Sequence, residues 1–353
     1  MKRALTLIGM LFATCVAGSI TAANATEYPL PPANSRLIGE NTTYTVPNDG
    51  RPLEAIAADY KIGLLGMLEA NPGADPYLPL PGSVLTIPTQ MLLPDTPREG
   101  IVINLAELRL YYFPKGQDKV VVYPIGIGQL GRNTPTMTTS VSQKIPNPTW
   151  TPTANIRKHY LAEGVTLPAV VPAGPENPMG LFAMRLAAGR GEYLIHGTNA
   201  NFGIGMRVSS GCIRLRPDDI EALFKSVPKG TRVQIINEPV KYSVEPDGKR
   251  YVEVHQPLSR VDSDDPQTMP IAISSSLQKF INDSQTNAQV VQEAIVRRSG
   301  MPVIVTVGET APIEAPAAVA PQSEPQPQNE EQQPAEEAIP KLVQPGPVYS
   351  AAN

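Results

Sequence analysis

Apolar and polar positions change rhythm several times along this 353-residue chain, and each change predicts a different kind of element. Lys2 and Arg3 precede a short apolar run, Ala4 to Ala13, and Ala23-Asn24-Ala25 follows. Charged, apolar and small-residue zones in that order read as a cleavable export signal over 1–25. The run is too short to span a bilayer. Lipidation at Cys15 is disfavoured by Thr14, which stands where a smaller residue is usual. Residues 26–40 read as a polar, proline-containing lead-in. Over 41–89 a short β-rich run, Tyr44-Thr45-Val46, precedes apolar residues at helical spacing from Pro52 to Tyr60. A second helical stretch, Leu64 to Glu69, stops at Asn71-Pro72-Gly73, and a strand, Val84 to Pro88, follows Pro81-Gly82. The order is β-α-α-β. Gln90 to Glu99 reads as a linker.

A mainly β block is expected over 99–237. Ile101–Leu105 and Leu108–Phe113 flank Ala106-Glu107, which predicts a hairpin, and Val120–Gly128 is a third strand ending in glycines. Gln129 to Gly180, rich in Pro, Thr and Asn and holding the only tryptophan, Trp150, is too long for an ordinary loop. Its fixed-φ prolines and apolar insertions predict an ordered lid. Leu181–Leu186 and Glu192–Ile195 read as strands. Pro217–Ser226 reads as a helix with proline at its first position, acids in its first turn and Lys225 near its end. Thr231–Ile236 closes the block. Residues 238–307 form an α+β third unit, with a strand at Arg250–His255 and a helix at Ala288–Arg298. From 308 to 353 the chain turns to Pro, Gln, Glu and Ala. Such a tail buries too little apolar surface to offset its ordering entropy, and is expected to be disordered.

The length suits two or three domains. A formal net charge of −4, with no basic stripe carrying interleaved aromatics, argues against nucleic-acid binding. Once the signal is removed, Cys212 is the only cysteine, so no intramolecular disulfide can form. One cysteine with His159, His196 and His255, at no close ligand spacing, argues against a zinc site, and no metal or cofactor is expected.

An unpaired thiol in an exported chain is a liability unless it has a use. Cys212 lies in Ser209-Ser210-Gly211-Cys212-Ile213-Arg214, sixteen positions after His196 in Ile195-His196-Gly197-Thr198-Asn199. An unperturbed thiol is only a few per cent thiolate at neutral pH, so a nucleophilic cysteine needs a base or a positive field. His196, delivered from a strand end, supplies either. Gly197 allows close backbone approach, and Gly211 permits a tight turn whose amides can form an oxyanion hole. Arg214 lies on the same side of an extended chain as Cys212 and suits raising the local field, holding a substrate carboxylate or forming a surface ion pair. Asn199, Ser209 and Ser210 are candidate substrate contacts. His159 and His255 read as structural.

These residues carry a resemblance. His196-Gly197-Thr198-Asn199, then Gly203 and Gly205, then Ser209-x-Gly211-Cys212-Ile213-Arg214-Leu215, resemble the L,D-transpeptidase (YkuD-type) catalytic domain, over 99–237. Tyr44-Thr45-Val46, Asn71-Pro72 and Leu85-x-Ile87-Pro88 resemble a LysM module, a peptidoglycan- or chitin-binding family. A longer match, including Tyr123-Pro124-Ile125-Gly126-Ile127-Gly128 and Val170-Val171-Pro172-Ala173-Gly174, is closest to the enterobacterial ErfK/YcfS group. The resemblance implies a YkuD-like β-sandwich in a periplasmic enzyme. Its substrates would be peptidoglycan stem peptides on glycan strands, cut between diaminopimelate and D-alanine through a thioester on Cys212. The acyl group would pass to the C-terminal lysine of the murein lipoprotein, or to a second stem in a 3→3 cross-link. A thiol-disulfide reductase that keeps Cys212 reduced is a further implied partner. The wider family often has histidine where this chain has Ser210, which leaves that position's part in tuning the thiol open. A non-catalytic, LysM-anchored wall-binding adaptor is the reading of another class. The papain order of Cys, then His, then Asn is not met.

Overall fold

A computed structural model describes residues 26–309, apart from 163, 201 and the His159 side chain. The export signal expected over 1–25 and the tail from 310 onward lie outside the described residues. Thr26–Pro29 (β1) is a strand rather than a polar lead-in, running antiparallel to residues 119–122. Leu37–Ile38 (β2) is a second short strand. Thr42–Thr45 (β3), Leu53–Asp59 (α1), Leu64–Ala70 (α2) and Val84–Ile87 (β4) make the expected βααβ unit, with β3 and β4 antiparallel. Leu53, Ile56, Met67, Leu85 and Ile87 fill its core. Met91–Leu92 (β5) pairs with β2, so part of the expected linker is a buried strand.

The reason lies in the sheet it covers. Gly100–Asn104 (β6), Arg109–Phe113 (β7) and Lys119–Pro124 (β8) form an antiparallel meander whose two faces are both apolar. Ile101, Ile103, Leu110 and Tyr112 face the main core. Val102, Tyr111, Phe113 and Val122 face the other way, and Tyr28, Ile38, Met91 and Leu93 bury them. A strand apolar on both faces demands a second cover, here supplied by the lead-in and linker.

Ile127–Gly128 (β9) follows, then Met137–Pro146 (β10). β10 corrects the lid expectation, because residues 137–146 of that segment are a sheet strand. Only Val141 along it is buried, so its Thr- and Ser-rich sequence carries no apolar alternation to betray it. Ala154–Ala162 (α3) and the turns around it gather on a small apolar cluster of Trp150, Ile156, Tyr160, Leu167, Val171 and Met179. Phe182–Leu186 (β11), Leu194–His196 (β12), Arg207–Ser209 (β13), Ile213–Arg214 (β14), Pro217–Ser226 (α4) and Arg232–Ile236 (β15) complete the block.

One nine-stranded sheet results, in the order β1-β8-β7-β6-β15-β10-β11-β12-β14. Residues 137–140 of β10 pair with β15, and residues 141–146 pair with β11 across a bulge between Val141 and Gln143. Bulges bend and twist the strand that carries them. Here the sheet curls around a shared core that includes Ile101, Tyr123, Met184, Ile195 and, from α4, Ile220 and Leu223. The expected sandwich is thus a single curled sheet. Val240–Val244 (β16), Arg250–Val254 (β17), Ser275–Ile281 (α5), Ala288–Arg297 (α6) and Pro302–Ile304 (β18) form the C-terminal α+β unit around its own core.

Candidate active site

β12 ends on His196, and β14 begins just after Cys212. The two strands pair in parallel, Ile195 opposite Ile213 and His196 opposite Arg214. Residues paired across a ladder share a face, and the two-residue alternation extends that face back from Arg214 to Cys212. One sheet edge therefore gathers His196, Cys212 and Arg214, all of them buried.

The histidine Nδ1 lies 2.6 Å from the Gly197 carbonyl. Nδ1 must carry the hydrogen to make that bond, which leaves Nε2 as an acceptor. Among the described residues Nε2 has no hydrogen-bond partner. Burial, helped by the Arg214 charge, pushes the imidazole down to about 3, against the pull of the Gly197 and Met179 carbonyls. The Cys212 thiol donates to the Glu192 carbonyl at 3.5 Å rather than to His196. Burial pushes that thiol up to about 11, although the Leu194 backbone and Arg214 pull the other way. At rest the pair is a neutral thiol and a neutral imidazole.

Cys212 is placed by a tight turn. Gly211 has φ +113°, a region that L side chains rarely adopt. The Ser209 hydroxyl accepts from the Gly211 amide at 3.2 Å and donates to the Cys212 carbonyl at 2.6 Å. The Thr134 hydroxyl donates to the Gly211 carbonyl and accepts from the Gly128 amide, each at 3.0 Å. Ser209 is fully buried, and its hydroxyl braces this turn. Gly197 is close-packed: a Cβ there would sit 2.8 Å from an Ile220 methyl. Asn199 is exposed and does not line the cleft described next.

A polar cleft of about 420 Å³ opens beside the turn, lined by Arg132, Asn133, Thr153, Asn155, Glu192, Tyr193 and Ser210. Arg132 Nη1 donates to the Ser210 hydroxyl at 2.9 Å, and Asn133 accepts from Arg207 at 2.8 Å. Of the residues singled out in the sequence, only Ser210 faces this cleft. Arg132 and Asn133 went unremarked. They sit in Gly131-Arg132-Asn133-Thr134, a turn-like charged interruption of a Pro- and Thr-rich stretch, and that was the only available signal.

A second cluster of ionisable groups lies elsewhere. Glu107, Glu253 and His255 bring three ligand-type atoms within 4.8 Å of one another. Lys241 Nζ stands 2.9 Å from Glu107 and 3.0 Å from Glu253, and Arg109 reaches both at 3.2 and 3.0 Å. The ammonium occupies the place a metal cation would take, so the cluster is an ion-pair core.

A buried cysteine and a buried histidine on adjacent strand ends, beside a polar cleft in a mainly β fold, fit an enzyme of the cysteine acyl-transfer class. Comparison with known proteins narrows the class. Residues 98–235 match the L,D-transpeptidase catalytic domain, and 239–305 the L,D-transpeptidase C-terminal domain. "Probable L,D-transpeptidase YcfS" of Escherichia coli is 62% identical over 303 residues, covering 85% of this chain and 94% of that one. "Probable L,D-transpeptidase ErfK/SrfK" of Salmonella typhimurium is 57% identical over 288 residues, covering 80% and 92%. "Probable L,D-transpeptidase YbiS" of Escherichia coli is 55% identical over 302 residues, covering 84% and 97%. A solved Enterococcus faecium L,D-transpeptidase aligns with TM-score 0.31 and 22% identity, over 39% of this chain and 49% of that one. This chain belongs to the L,D-transpeptidase family.

Proposed function

We propose that this enzyme cuts the diaminopimelate–D-alanine bond of peptidoglycan tetrapeptide stems and passes the acyl group to the C-terminal lysine of the murein lipoprotein, in the periplasm. The supporting observation is the β12–β14 register, which sets a histidine with an accepting Nε2 on the face that carries Cys212. Cys212 is the nucleophile and His196 its base. When a stem enters the cleft, Sγ leaves the Glu192 carbonyl and gives its proton to Nε2. The thiolate adds to the carbonyl on the L-centre of diaminopimelate. Because the Gly211 amide is engaged by Ser209, the Cys212 amide is the first donor to the oxyanion. Collapse expels D-alanine, whose nitrogen takes the proton from His196, and leaves a thioester. His196 then accepts a proton from the incoming amine as it attacks, and the thiol is restored.

Arg132 and Ser210 bind the stem's polar groups at the mouth of the cleft, Arg132 through a fork suited to carboxylates. Arg214, buried on the strand after Cys212, supplies positive field. Residues 147–180 cover the acyl-enzyme and exclude water. The βααβ unit holds the glycan strand, where Tyr77 at 84% exposure offers a ring face to a sugar. A thiol-disulfide reductase rescues Cys212 after oxidation. A 3→3 cross-link uses the same residues with a second stem as acceptor, since both acceptors are primary amines on a flexible arm.

Mass spectrometry of mature protein, incubated with disaccharide-tetrapeptide and a lysine-ended lipoprotein peptide together, tests the reading. A lysine-linked adduct with released D-alanine is expected. Stem dimers alone would move the assignment to cross-linking, and no product from folded protein would revive the adaptor.

A further inference from the structure

The chain between His196 and Cys212 passes against the βααβ unit at Gly203–Gly205, and the contacts there involve backbone. Glu54 in α1 accepts from the Gly203 amide at 3.2 Å. At the start of α2, the Leu64 and Leu65 amides donate to the Ile204 and Gly205 carbonyls, each at 3.2 Å. Gly63 and Gly205 meet main chain to main chain: a Cβ on Gly205 would lie 2.4 Å from Gly63 Cα, and one on Gly63 would lie 2.7 Å from Gly205 Cα. Only two glycines allow that approach.

The other side of the same segment is tied to the catalytic sheet. The Gly205 amide donates to the Ile125 carbonyl at 2.9 Å, and the Ile127 amide donates to the Met206 carbonyl at 3.0 Å. Between those two residues, Gly126 exchanges a pair of 2.8 Å bonds with Arg214. Backbone hydrogen bonds therefore run from α2, through Ile204 and Gly205, to Ile125–Ile127, and on to the residue two places after Cys212. Arg216, two further on, donates to the Ile62 carbonyl at 2.8 Å. A flexible tether would leave side chains, water and slack at such a junction. This one is built on peptide groups, which cannot change rotamer and so transmit displacement, with the Glu54 and Arg216 side chains bonded to backbone on either side of them.

We propose that the βααβ unit is a positioning element of the active site: Glu54 and Gly63–Leu65 fix Gly203–Gly205, and through them the Arg214 backbone beside Cys212. The proposal rests on Cys212 being the nucleophile. Its physical ground is that reacting groups must be held within fractions of an ångström, by neighbours that are themselves locked. Pulling the unit away would strip partners from the first amides of α2 and from two loop carbonyls together. Its separation from the catalytic domain would then cost both hydrogen bonds and active-site order.

The test uses the mature full-length chain with Glu54→Ala, Glu54→Gln and Glu54→Asp. Four quantities are read: the pH profile of Cys212 alkylation by iodoacetamide, kcat and KM on disaccharide-tetrapeptide, and sacculus binding. Glu54→Ala is expected to lower kcat and the alkylation rate about five- to tenfold, the scale of one displaced hydrogen bond, with KM and sacculus binding nearly unchanged. Glu54→Gln keeps an oxygen acceptor for the Gly203 amide and restores most of both rates. Glu54→Asp, one methylene short, reproduces the loss while staying folded, and carries the test should the alanine variant melt. Wild-type kcat and alkylation in both the Ala and Asp variants would overturn the proposal and leave the unit a tether. Equal loss in Gln and Ala would also overturn it, since the charge and not the hydrogen bond would then matter. A wild-type chain with no turnover, but with alkylation that depends on Glu54, would sink the functional reading and leave the positioning intact.

Discussion

His196 and His255 are both fully buried, and they differ in what faces their rings. His255 lies between two carboxylates, Glu69 Oε2 at 3.0 Å from Nδ1 and Glu253 Oε1 at 2.7 Å from Nε2. Both nitrogens must donate, so the ring is an imidazolium, and burial notwithstanding its pKa is pushed up to about 9 by Glu69 and Glu253. His196 meets only backbone carbonyls, those of Gly197 and Met179, and no carboxylate, and burial drives it down to about 3. The His255 cluster joins three units: Glu69 comes from the βααβ unit, Glu107 and Arg109 from the catalytic sheet, Lys241, Glu253 and His255 from the C-terminal unit. With His255 protonated, its three anions and three cations balance. Buried charge that is fully paired holds a structure together; a buried base with an accepting nitrogen to spare is available for a reaction.

That contrast can be broken most decisively at Cys212, the proposed nucleophile. Cys212→Ala is expected to abolish thioester formation and all turnover with the thermal midpoint nearly unchanged, and residual product would remove Cys212 from its role. His196→Gln should lower kcat by about 10²–10⁴, the range for a lost acid–base group, in the same assay. In the charged cluster the expected loss is stability. Lys241→Met leaves Glu107 and Glu253 facing each other without their ammonium and should cost about 3–5 kcal/mol in urea unfolding. An unchanged midpoint would show that the cluster is not a structural core.

A subtler separation comes from pH. His255 is raised from an unfolded value of about 6.5, so its stabilisation is complete below that pH and is lost as pH rises through about 9. His196 has the opposite sign, its neutral burial favouring the fold above pH 6.5 and opposing it in acid. Unfolding free energy should therefore fall between pH 6.5 and 9 in the wild type, and His255→Gln should flatten that fall. A slope that survives the substitution would assign it to another group. The smallest effect is expected at the cleft mouth. Arg132→Ala should raise KM about three- to tenfold through one lost charge-assisted contact, with kcat little changed.

Much of this arrangement was legible in the chain. The βααβ order, the hairpin around Ala106-Glu107, the α4 helix with Pro217 at its start, and the strand ending on His196 all follow from period and caps. The Ser209–Arg214 run pointed to the site because glycine beside a lone cysteine has few other uses. What stayed hidden was set by tertiary contact. Met91–Leu93 read as linker because a strand of two residues has no period, and its burial comes from the outer face of β6 and β7. β10 hid because its side chains are largely polar at the bend of the sheet. His255 gave no sign of its charge, since Glu69 lies far from it in sequence and meets it only when three units assemble. The bracing of the Gly211–Cys212 turn by the Ser209 hydroxyl was hidden as well, because polarity alone does not reveal a turn brace.

The resting thiol, 1% exposed and pushed up to about 11, has a consequence for the enzyme's working life. Thiolate is the form that attacks peroxides and disulfides and is oxidised by them, and between reactions this chain keeps almost none. On the proposed mechanism, exposure to damage begins when a stem draws the proton away and ends when the thioester forms. Wear on such a catalyst accumulates by the number of bonds it has exchanged and very little by the hours it has waited.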